Sequence, residues 1–499
     1  MSRENFHDYI VPGLDVLIGD PDFLTPDKDT RKKAEVLYIP SFYVYRVLDF
    51  YKEQTNRGES ARELTAIFGE IAEIMNRNDT DEYIFKNGMR LKFKDFPENP
   101  VFHGLGHNGS NEKYNSSKFH AIAIAIAKSL QQEFGKNNVA IMTGSDQLAT
   151  PAAFNCIDIA RVNPEVYTGR IRVDFPDEFA SYWWTHHSIP KHIWDELFPD
   201  KPLVINQYVE LDFDPYGQVD SFYQNIGRFN GDAIVPLRFT RINHPAFSRI
   251  HPKTPGQAMI FDALLAPVDE LPIVIISGTF GTGKTFCGVA TGLAQVMGEQ
   301  YERIFVCPRD GALGREIGFL QGDKLEKVLP RAAPILDNLE SVVRLLDIKA
   351  RCQSGDECEG RKGKKNGQNN EHSTNPVKIT AANYQKRYFE FEPVIYMGGR
   401  SIENSFMIYD EFQDMERSQA RALLSRIGND SKIVILGDPN QTTNPHLNKT
   451  SNGLSYSASK LAGDTLTAVI SFDQTREIVR SPAAKHIAER LSSRKFVRT

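Results

Sequence analysis

The chain has 499 residues, of which 40% are hydrophobic and 25% charged, a composition typical of soluble globular proteins with roughly two to four domains. A formal net charge of −5 at pH 7 excludes binding of nucleic acid through bulk positive charge, so such binding would need a local basic surface. Five scattered cysteines, no apolar leader near residue 1 and no apolar run long enough to span a bilayer lead us to expect a cytoplasmic protein without membrane contact.

The first segment, residues 1–166, combines short apolar runs with helical patterns. The runs at 35–39 and 139–142 predict strands. Apolar side chains recur at helical spacing in 60–75 and 117–130, which predicts two helices. This mixture indicates an α/β domain.

The second segment, residues 167–248, is rich in aromatic residues. The turn residues at 230–232 lie between apolar runs and predict a hairpin, so we expect a small β-rich connector here. The run YWWTHH at 182–187 has two interpretations. We favour a buried aromatic anchor over a surface on which bases stack.

The third segment, residues 249–499, alternates apolar runs with helical patterns, as in a doubly wound parallel sheet. An insertion at about 351–376 contains no Ile, Leu, Val, Met or Phe and cannot contribute to a core, so we predict a disordered surface loop. The strand candidates are 273–277, 303–307, 406–410, 432–437 and 466–472.

A glycine-rich sequence, GTFGTGKT at 278–285, follows the first of these strand candidates and precedes a helical pattern that stops near Gly298. It matches the phosphate-binding pattern G-x-x-x-x-G-K-[ST], the P-loop. The N–H groups of such a loop and the start of the next helix bind phosphate, the lysine reaches the outer phosphates and the hydroxyl ligates magnesium. A glycine-rich turn with a surface lysine is the alternative. The predicted nucleotide-binding residues of the loop are Gly278, Thr279, Gly281, Thr282, Gly283, Lys284, Thr285 and Phe286.

Paired acids follow the apolar run at 406–409. Asp410 is predicted to act with Thr285 in holding Mg²⁺, and Glu411 to orient or deprotonate the attacking water. Gln441 follows the next strand candidate. A glutamine there could contact both the γ-phosphate and the water, and so report hydrolysis to the rest of the protein.

Two arginines, Arg476 and Arg480, lie shortly after the last strand candidate. An arginine near a nucleotide site stabilises transition-state charge, within its own subunit or across to a neighbour. A surface salt bridge is the alternative, and for Arg476 both interpretations stay open. The catalytic candidates are Lys284, Glu411, Gln441 and Arg480.

With these motifs assembled, residues 255–490 resemble the PhoH family of ATPases, except across the polar insertion. The resemblance implies a RecA-like core related to superfamily 1 helicases, hydrolysis of ATP with Mg²⁺, and engagement of RNA or single-stranded nucleic acid. It also implies that Gln257 reads adenine. Besides the glycine-rich loop, the motifs that carry it are IGFLQGD at 317–323, PILDNL at 334–339, GRS at 399–401, DEFQ at 410–413, GDPNQ at 437–441 and NGL at 452–454.

The same resemblance implies a ring-shaped homo-oligomer, which we expect to be a hexamer, with Arg480 completing the site of a neighbouring subunit. The chain departs from the family pattern at two places: Gly398 stands where a second arginine is common, and Phe412 where alanine is usual. Hydrolysis is expected despite both changes.

The front of the chain, residues 9–166, resembles a PIN ribonuclease domain, which precedes the ATPase in longer PhoH proteins. PIN nucleases gather several carboxylates around Mg²⁺ or Mn²⁺ to activate water. Here only Asp146 matches that pattern, and Asp15 is displaced by two residues, so we predict a degenerate site that takes Mg²⁺ or Mn²⁺ only if it is active. The motifs are GLDVLIGDP at 13–21, YIPS at 38–41, GESAREL at 58–64 and MTGSD at 142–146.

Three functions follow as hypotheses. The favoured one is an ATPase that acts as a helicase-like motor or switch on RNA or single-stranded nucleic acid. The second is a metal-dependent ribonuclease that receives substrate from the ATPase, which the missing PIN acids disfavour. The third is a nucleotide-controlled assembly that binds a partner without catalysis, which the intact paired acids disfavour.

Overall fold

A computed structural model of the chain describes residues 7–19, 24, 34–41, 43–44, 58–95, 116–143, 146–161, 167–212, 222–308, 329–346, 380–392, 401–443, 447, 449, 452–472 and 477–479. The chain divides into two compact units, Met1–Glu165 and Val166–Thr499. The three-domain division with boundaries near 166 and 248 stays a prediction, and the predicted insertion at about 351–376 lies outside the described residues. Across the described ranges, no helix is long and apolar enough to cross a membrane.

The first unit is an α/β structure built on parallel strands. Its sheet has the order β3-β4-β2-β1-β5-β6, in which every neighbouring pair is parallel except β3 with β4. The strands are β1 (Tyr9–Pro12), β2 (Val36–Pro40), β3 (Tyr83–Ile84), β4 (Arg90–Lys94), β5 (Val139–Thr143) and β6 (Asp158–Arg161). The helices are α1 (Leu14–Gly19), α2 (Gly58–Arg77), α3 (Ser116–Phe134) and α4 (Asp146–Phe154).

The α/β prediction for this unit is confirmed, and the predicted strands and helices exist with ends shifted by a few residues. Strands β2 and β5 are buried at every position, as expected for apolar strands inside a parallel sheet. Helix α2 buries Leu64, Phe68 and Ile71, which lie on one face because they are four and three residues apart. The PIN-like identity of the unit stays a prediction.

The second unit begins with residues 167–248, which we call the connector. Its five-stranded sheet has the order β7-β9-β10-β11-β8, in which β7 and β9 are parallel and the other pairs antiparallel. The strands are β7 (Arg170–Asp174), β8 (Ile189–Pro190), β9 (Tyr208–Asp212), β10 (Ile226–Phe229) and β11 (Ala233–Pro236), and the helices are α5 (Asp177–His186) and α6 (Lys191–Leu197).

Two predictions for the connector are confirmed. The hairpin joins β10 to β11, and the Asn230 side chain closes its turn by accepting hydrogen bonds from the N–H groups of Asp232 and Ala233 at 3.0 and 2.9 Å. The aromatic run contains a buried anchor, because Trp183 is 1% exposed and donates its indole N–H to the carbonyl of Gln224 at 3.1 Å.

The remainder of the second unit is a six-stranded parallel sheet with flanking helices, and it confirms the predicted RecA-like α/β fold. The order is β14-β13-β15-β16-β12-β17. The strands are β12 (Ile273–Ser277), β13 (Arg303–Cys307), β14 (Phe389–Phe391), β15 (Ser405–Tyr409), β16 (Lys432–Gly437) and β17 (Thr467–Ser471). The helices are α7 (Pro255–Leu265), α8 (Lys284–Met297), α9 (Ala333–Leu345), α10 (Ala381–Tyr388), α11 (Arg417–Leu424) and α12 (Gly453–Lys460).

The strand order positions the candidate site. All six strands point the same way, so their carboxyl ends meet at one edge, where ligands bind in open α/β sheets. Strand β16 lies between β12 and β15, so the loops that follow these three strands are neighbours. Two predicted strands were too long, because Asp410 lies just beyond β15, and Leu466 and Phe472 lie just outside β17.

Helix α7 is held in its middle by one buried carboxylate. Asp262 is 1% exposed, and one of its oxygens accepts hydrogen bonds from the backbone N–H groups of Arg238 and Phe239 at 2.9 and 3.2 Å. The other oxygen accepts the hydroxyl of Tyr208 on β9 at 3.1 Å. Helix α7 is therefore tied to the connector by hydrogen bonds as well as by apolar packing.

The C-terminal end of α7 is held by a buried lysine. Lys432, the first residue of β16, is fully buried and its amine donates to the carbonyls of Ala263, Leu264 and Ala266 at 3.1, 3.1 and 2.6 Å. Burial lowers the pKa of Lys432 to about 7. The three carbonyls belong to the unpaired end of the helix, so the amine supplies the donors that this end needs.

Candidate nucleotide-binding site

The glycine-rich loop joins β12 to α8, as the sequence predicts. Helix α8 begins at Lys284 after Gly283, whose φ of 89° lies in the left-handed region, and Gly281 has a φ of 81°. Residues that carry a side chain rarely adopt this backbone conformation, so glycine is required at both turns. The Gly278 N–H donates to the carbonyl of Gly437 at 3.1 Å, which fixes the start of the loop to the end of β16. The helix ends at Met297 before Gly298, also as predicted.

Lys284 folds back over the loop. Its amine donates to the carbonyls of Gly278 and Thr279 at 2.6 and 2.9 Å. The hydroxyl of Thr282 also donates to the carbonyl of Thr279, at 2.9 Å. The ammonium group therefore lies within the curve of the loop, where it could exchange carbonyl oxygens for phosphate oxygens. Phe286 is a partly buried residue packed against the core of the unit.

Gln257 lies beside this loop. It belongs to the first turn of α7, where Thr254 caps the helix by accepting the N–H of Gln257 at 3.3 Å. The Gln257 amide donates to the carbonyl of Thr282 at 2.9 Å and accepts the N–H of Lys253, also at 2.9 Å. Gln257 is 5% exposed, and these hydrogen bonds fix its amide against the P-loop.

Thr285 and Asp410 form the central contact of the site. The hydroxyl of Thr285 donates to the carboxylate of Asp410 at 3.2 Å, although the residues are 125 positions apart. Burial and then the nearby charge of Glu411 raise the pKa of Asp410 to about 6. A hydroxyl next to a partly buried carboxylate is the type of oxygen pair that Mg²⁺ prefers, so these residues fit the predicted metal site.

Glu411 has an unusual backbone conformation. Its φ of 56° is in the left-handed region, which costs about 1–3 kcal/mol for a residue other than glycine. Its N–H donates to the other oxygen of Asp410 at 3.0 Å, so the turn that holds the strain also orients both acids. Such strain at the end of a central strand is typical of a functional position.

Gln413 connects the paired acids to the next loop, a role that the sequence analysis missed. Its amide donates to Glu411 at 2.6 Å and accepts the N–H of Asp438 at 3.0 Å, and the residue is 1% exposed. The amide of Gln441 in turn donates to the carboxylate of Asp438 at 2.8 Å. Glu411 and Gln441 are therefore linked through two intervening residues, the side chain of Gln413 and the backbone N–H and carboxylate of Asp438. The DEFQ motif at 410–413 contained a signal for this role, because Gln413 is its last residue and had no function assigned to it.

Phe412 stands where the related proteins usually have alanine, and it belongs to the core. It is fully buried and its ring stacks against that of Tyr409, with ring centres 6.0 Å apart. Phe412 therefore contributes to the core next to the paired acids. Arg476, Arg480 and Gly398 lie outside the described residues.

The two acids predicted in the first unit follow neighbouring strands. Asp15 lies in α1 after β1, Asp146 begins α4 after β5, and these two parallel strands pair directly. The structure thus brings both positions to one edge of the sheet. The hydroxyl of Thr143 donates to Asp15 at 2.9 Å, whereas the side chain of Asp146 lies outside the described part of the chain.

Comparison with known proteins identifies the C-terminal region. Residues 249–492 match the family model described as PhoH-like protein. The chain is 31% identical over 223 residues to Protein PhoH2 of Bacillus subtilis (strain 168), covering 44% of this chain and 43% of that protein. It is 28% identical over 268 residues to Protein PhoH2 of Thermobispora bispora, covering 53% of this chain and 52% of that protein. It is 27% identical over 240 residues to the PhoH-like protein of Bacillus subtilis (strain 168), covering 48% of this chain and 63% of that protein. The chain spans about half the length of these relatives. Residues 249–492 of this chain therefore form a PhoH-like domain.

Proposed function

We propose that this protein hydrolyses ATP and acts as a helicase-like motor or switch on RNA or single-stranded nucleic acid. One observation carries the ATPase proposal: Thr285 at the start of α8 and Asp410 at the end of β15 meet at 3.2 Å. A glycine-rich turn with a surface lysine would not need a partly buried carboxylate against its hydroxyl. The pairing is that of a phosphate loop with its metal-binding acid.

The site residues have separate tasks in this proposal. Mg²⁺, when bound at Thr285 and Asp410, neutralises charge that develops on the phosphates. Lys284 holds the outer phosphates in place of the loop carbonyls it now contacts. Glu411 orients the attacking water and accepts its proton. Gln441, linked to Glu411 through Gln413 and Asp438, responds to the loss of the γ-phosphate.

The test is release of phosphate from ATP by the full chain. We expect Lys284→Ala to weaken ATP binding, because the lysine contacts the ground-state phosphates. We expect Glu411→Gln to retain ATP and lose turnover by roughly 10²-fold or more, since the glutamate acts mainly on the water. Glu403→Gln is the control, because this exposed residue precedes the same strand at its opposite end. Unchanged turnover in Glu411→Gln would contradict the assignment of Glu411 as the general base. ATP binding without any turnover in the wild type would favour a non-enzymatic nucleotide switch.

The nucleic-acid part of the proposal is supported by the resemblance of residues 255–490 to the PhoH ATPases and their relation to superfamily 1 helicases. It is tested by adding single-stranded RNA or DNA to the phosphate-release assay. Stimulation by one of them identifies the substrate class. A rate of hydrolysis that neither polymer changes would be compatible with the ATPase proposal and would contradict the helicase-like motor.

We further propose a ring-shaped homo-oligomer, most simply a hexamer, in which Arg480 reaches the nucleotide of a neighbouring subunit. The support is the family resemblance, since sites of RecA-like cores often lie between subunits. Mixing Arg480→Ala protein with Lys284→Ala protein should restore part of the activity, because some interfaces then contain two intact partners. A strictly monomeric protein at active concentrations is incompatible with this proposal.

For the first unit we propose a PIN-like domain whose nuclease site is degenerate and which grips RNA or a protein partner. The central parallel strands and the placement of Asp15 and Asp146 after β1 and β5 support the likeness. A nuclease site has no nucleotide phosphates resident beside its metal, and the two carboxylates that the family pattern offers here bind a hard divalent ion poorly by themselves. The alternative, a metal-dependent ribonuclease coupled to the ATPase, requires further acids to be recruited nearby.

A further inference from the structure

Residues 477–479, which we call the clasp, contact two parts of the candidate site. The side chain of Glu477 is 2% exposed, and one of its carboxylate oxygens accepts the backbone N–H of Gly256 at 2.6 Å. Two residues later, the N–H of Val479 donates to the carbonyl of Gly281 in the P-loop at 2.9 Å. The clasp therefore bridges the start of α7 and the phosphate-binding loop.

The connector also contacts the clasp, through Arg170 on β7. Its guanidinium donates to the second oxygen of Glu477 at 2.8 Å and to the carbonyl of Ser471 at the end of β17 at 3.2 Å, and it also pairs with Glu210 on β9. The Arg170 side chain is 12% exposed, so these contacts are largely shielded from water. A planar guanidinium can hold several acceptors in one fixed geometry, which a lysine cannot do.

The position of Gly256 determines the position of Gln257. The two residues are adjacent in the first turn of α7, and the Gln257 amide donates to the carbonyl of Thr282 in the P-loop. A Cβ on Gly256 would lie 2.8 Å from the ring of Phe472 and 3.0 Å from Glu477, so this turn is closely packed. A shift of the Glu477 carboxylate must therefore move the start of α7, and with it Gln257.

We propose that Arg170 and Glu477 are positioning residues through which the connector sets the affinity and base selectivity of the nucleotide site. Glu477 holds the start of α7, where a carboxylate is also favoured by the helix dipole. Arg170 neutralises Glu477 and Glu210 together and fixes where the first of them points. Without Arg170, two poorly solvated carboxylates would repel one another, and the clasp would move away from α7 and the P-loop.

This inference rests on the proposed use of ATP, but it is tested by binding and so does not depend on hydrolysis. The measurement is the dissociation constant of the full chain for ATP and for GTP, by titration calorimetry, with thermal melting as a check of folding. The variants are Arg170→Met and Glu477→Gln. The control is Arg172→Met, which removes a pair with Asp212 on the same two strands, where both side chains are about half exposed, at 45% and 47%.

Arg170→Met is expected to weaken ATP binding roughly tenfold, equivalent to about 1.4 kcal/mol, and to weaken GTP binding less, so that the preference for ATP falls. Glu477→Gln should have a smaller effect, because its amide oxygen can still accept the Gly256 N–H. Arg172→Met should leave both constants unchanged. If Arg170→Met does not fold, Arg170→Lys replaces it, with loss of preference expected because the compact ammonium lacks the planar fork of a guanidinium and cannot meet the three acceptors in the same geometry.

Two results would overturn the inference. One is an unchanged ratio of ATP to GTP affinity in a folded Arg170 variant, since a merely structural contact would lower stability without changing base selectivity. The other is a wild-type protein that binds ATP and GTP equally. Failure of the ATPase proposal looks different: the wild type would bind ATP with a base preference and release no phosphate.

Discussion

Replacing Gly283 by alanine tests whether the P-loop and Gln257 are as tightly fitted as the structure indicates. Gly283 has a φ of 89°, and a Cβ added there would lie 2.7 Å from the amide nitrogen of Gln257. That distance is shorter than real contacts allow, so the Gln257 side chain must move. The movement breaks its hydrogen bond to the Thr282 carbonyl, which is 2.9 Å long.

The expected cost has two parts. A left-handed backbone costs alanine roughly 1–2 kcal/mol relative to glycine. The lost hydrogen bond of Gln257 adds about 1 kcal/mol, since both its partners are shielded from water. The free energy of unfolding should therefore fall by about 2–3 kcal/mol, which corresponds to a Tm lower by roughly 3–4 °C for the second unit, Val166–Thr499.

Gly288 provides a matched control in the same helix. It lies in the interior of α8 with ordinary helical geometry, and a Cβ there would meet the Leu436 side chain at 3.5 Å, a normal contact. Gly288→Ala should raise the free energy of unfolding by up to about 1 kcal/mol, because alanine is the better helix former. One substitution should thus destabilise the protein and the other stabilise it, with the same atoms added.

The assay is thermal melting of both variants, followed by ATP titration. Gly283→Ala should bind ATP more weakly than wild type and Gly288→Ala about equally. A Gly283→Ala protein that melts no lower than Gly288→Ala and binds ATP like the wild type would contradict this tight fit, because the loop would then have room that the structure does not show.

Three further predictions concern other parts of the chain. Asp410 has a pKa of about 6 in the folded protein, above its ordinary 3.8, so the free energy of unfolding falls as the pH rises between these two values. Without Mg²⁺ and nucleotide, Asp410→Asn should therefore raise the free energy of unfolding in urea by up to about 3 kcal/mol above pH 6. The gain should disappear below pH 4. Trp183→Ala should cost about 3–5 kcal/mol, whereas His187→Gly should be neutral or slightly stabilising in the same assay, because His187 has a left-handed φ of 48°. Residues 1–166 should cleave single-stranded RNA little or not at all with excess Mn²⁺; cleavage that vanishes in the double variant Asp15→Asn, Asp146→Asn would instead make the ribonuclease the leading function.

The P-loop was predictable because its chemistry is local. Residues 278–285 are contiguous, and the backbone turns that bind phosphate need glycines at set intervals, so the pattern can be read without knowing any distant contact. The strands and helices on either side were predictable for the same reason, since burial on a parallel sheet gives continuous apolar runs. The acids at 410 and 411 were recognised because they end such a run.

Contacts that depend on strand order could not be read from a local pattern. Asp410 was assigned to the metal with Thr285 because a P-loop needs an acid after a neighbouring strand, but the 3.2 Å contact itself forms only because β16 lies between β12 and β15. Gln413 acquires its role between two loops in the same way. Arg170 and Glu477, which are 307 positions apart, were overlooked altogether. Neither belongs to a recognisable motif, and charged residues of this kind are usually solvated. The sequence alone therefore determined which stretch of backbone can bind phosphate. The tertiary structure decided which distant side chains surround that stretch, because contacts across a sheet depend on the order and register of its strands, which no local pattern encodes.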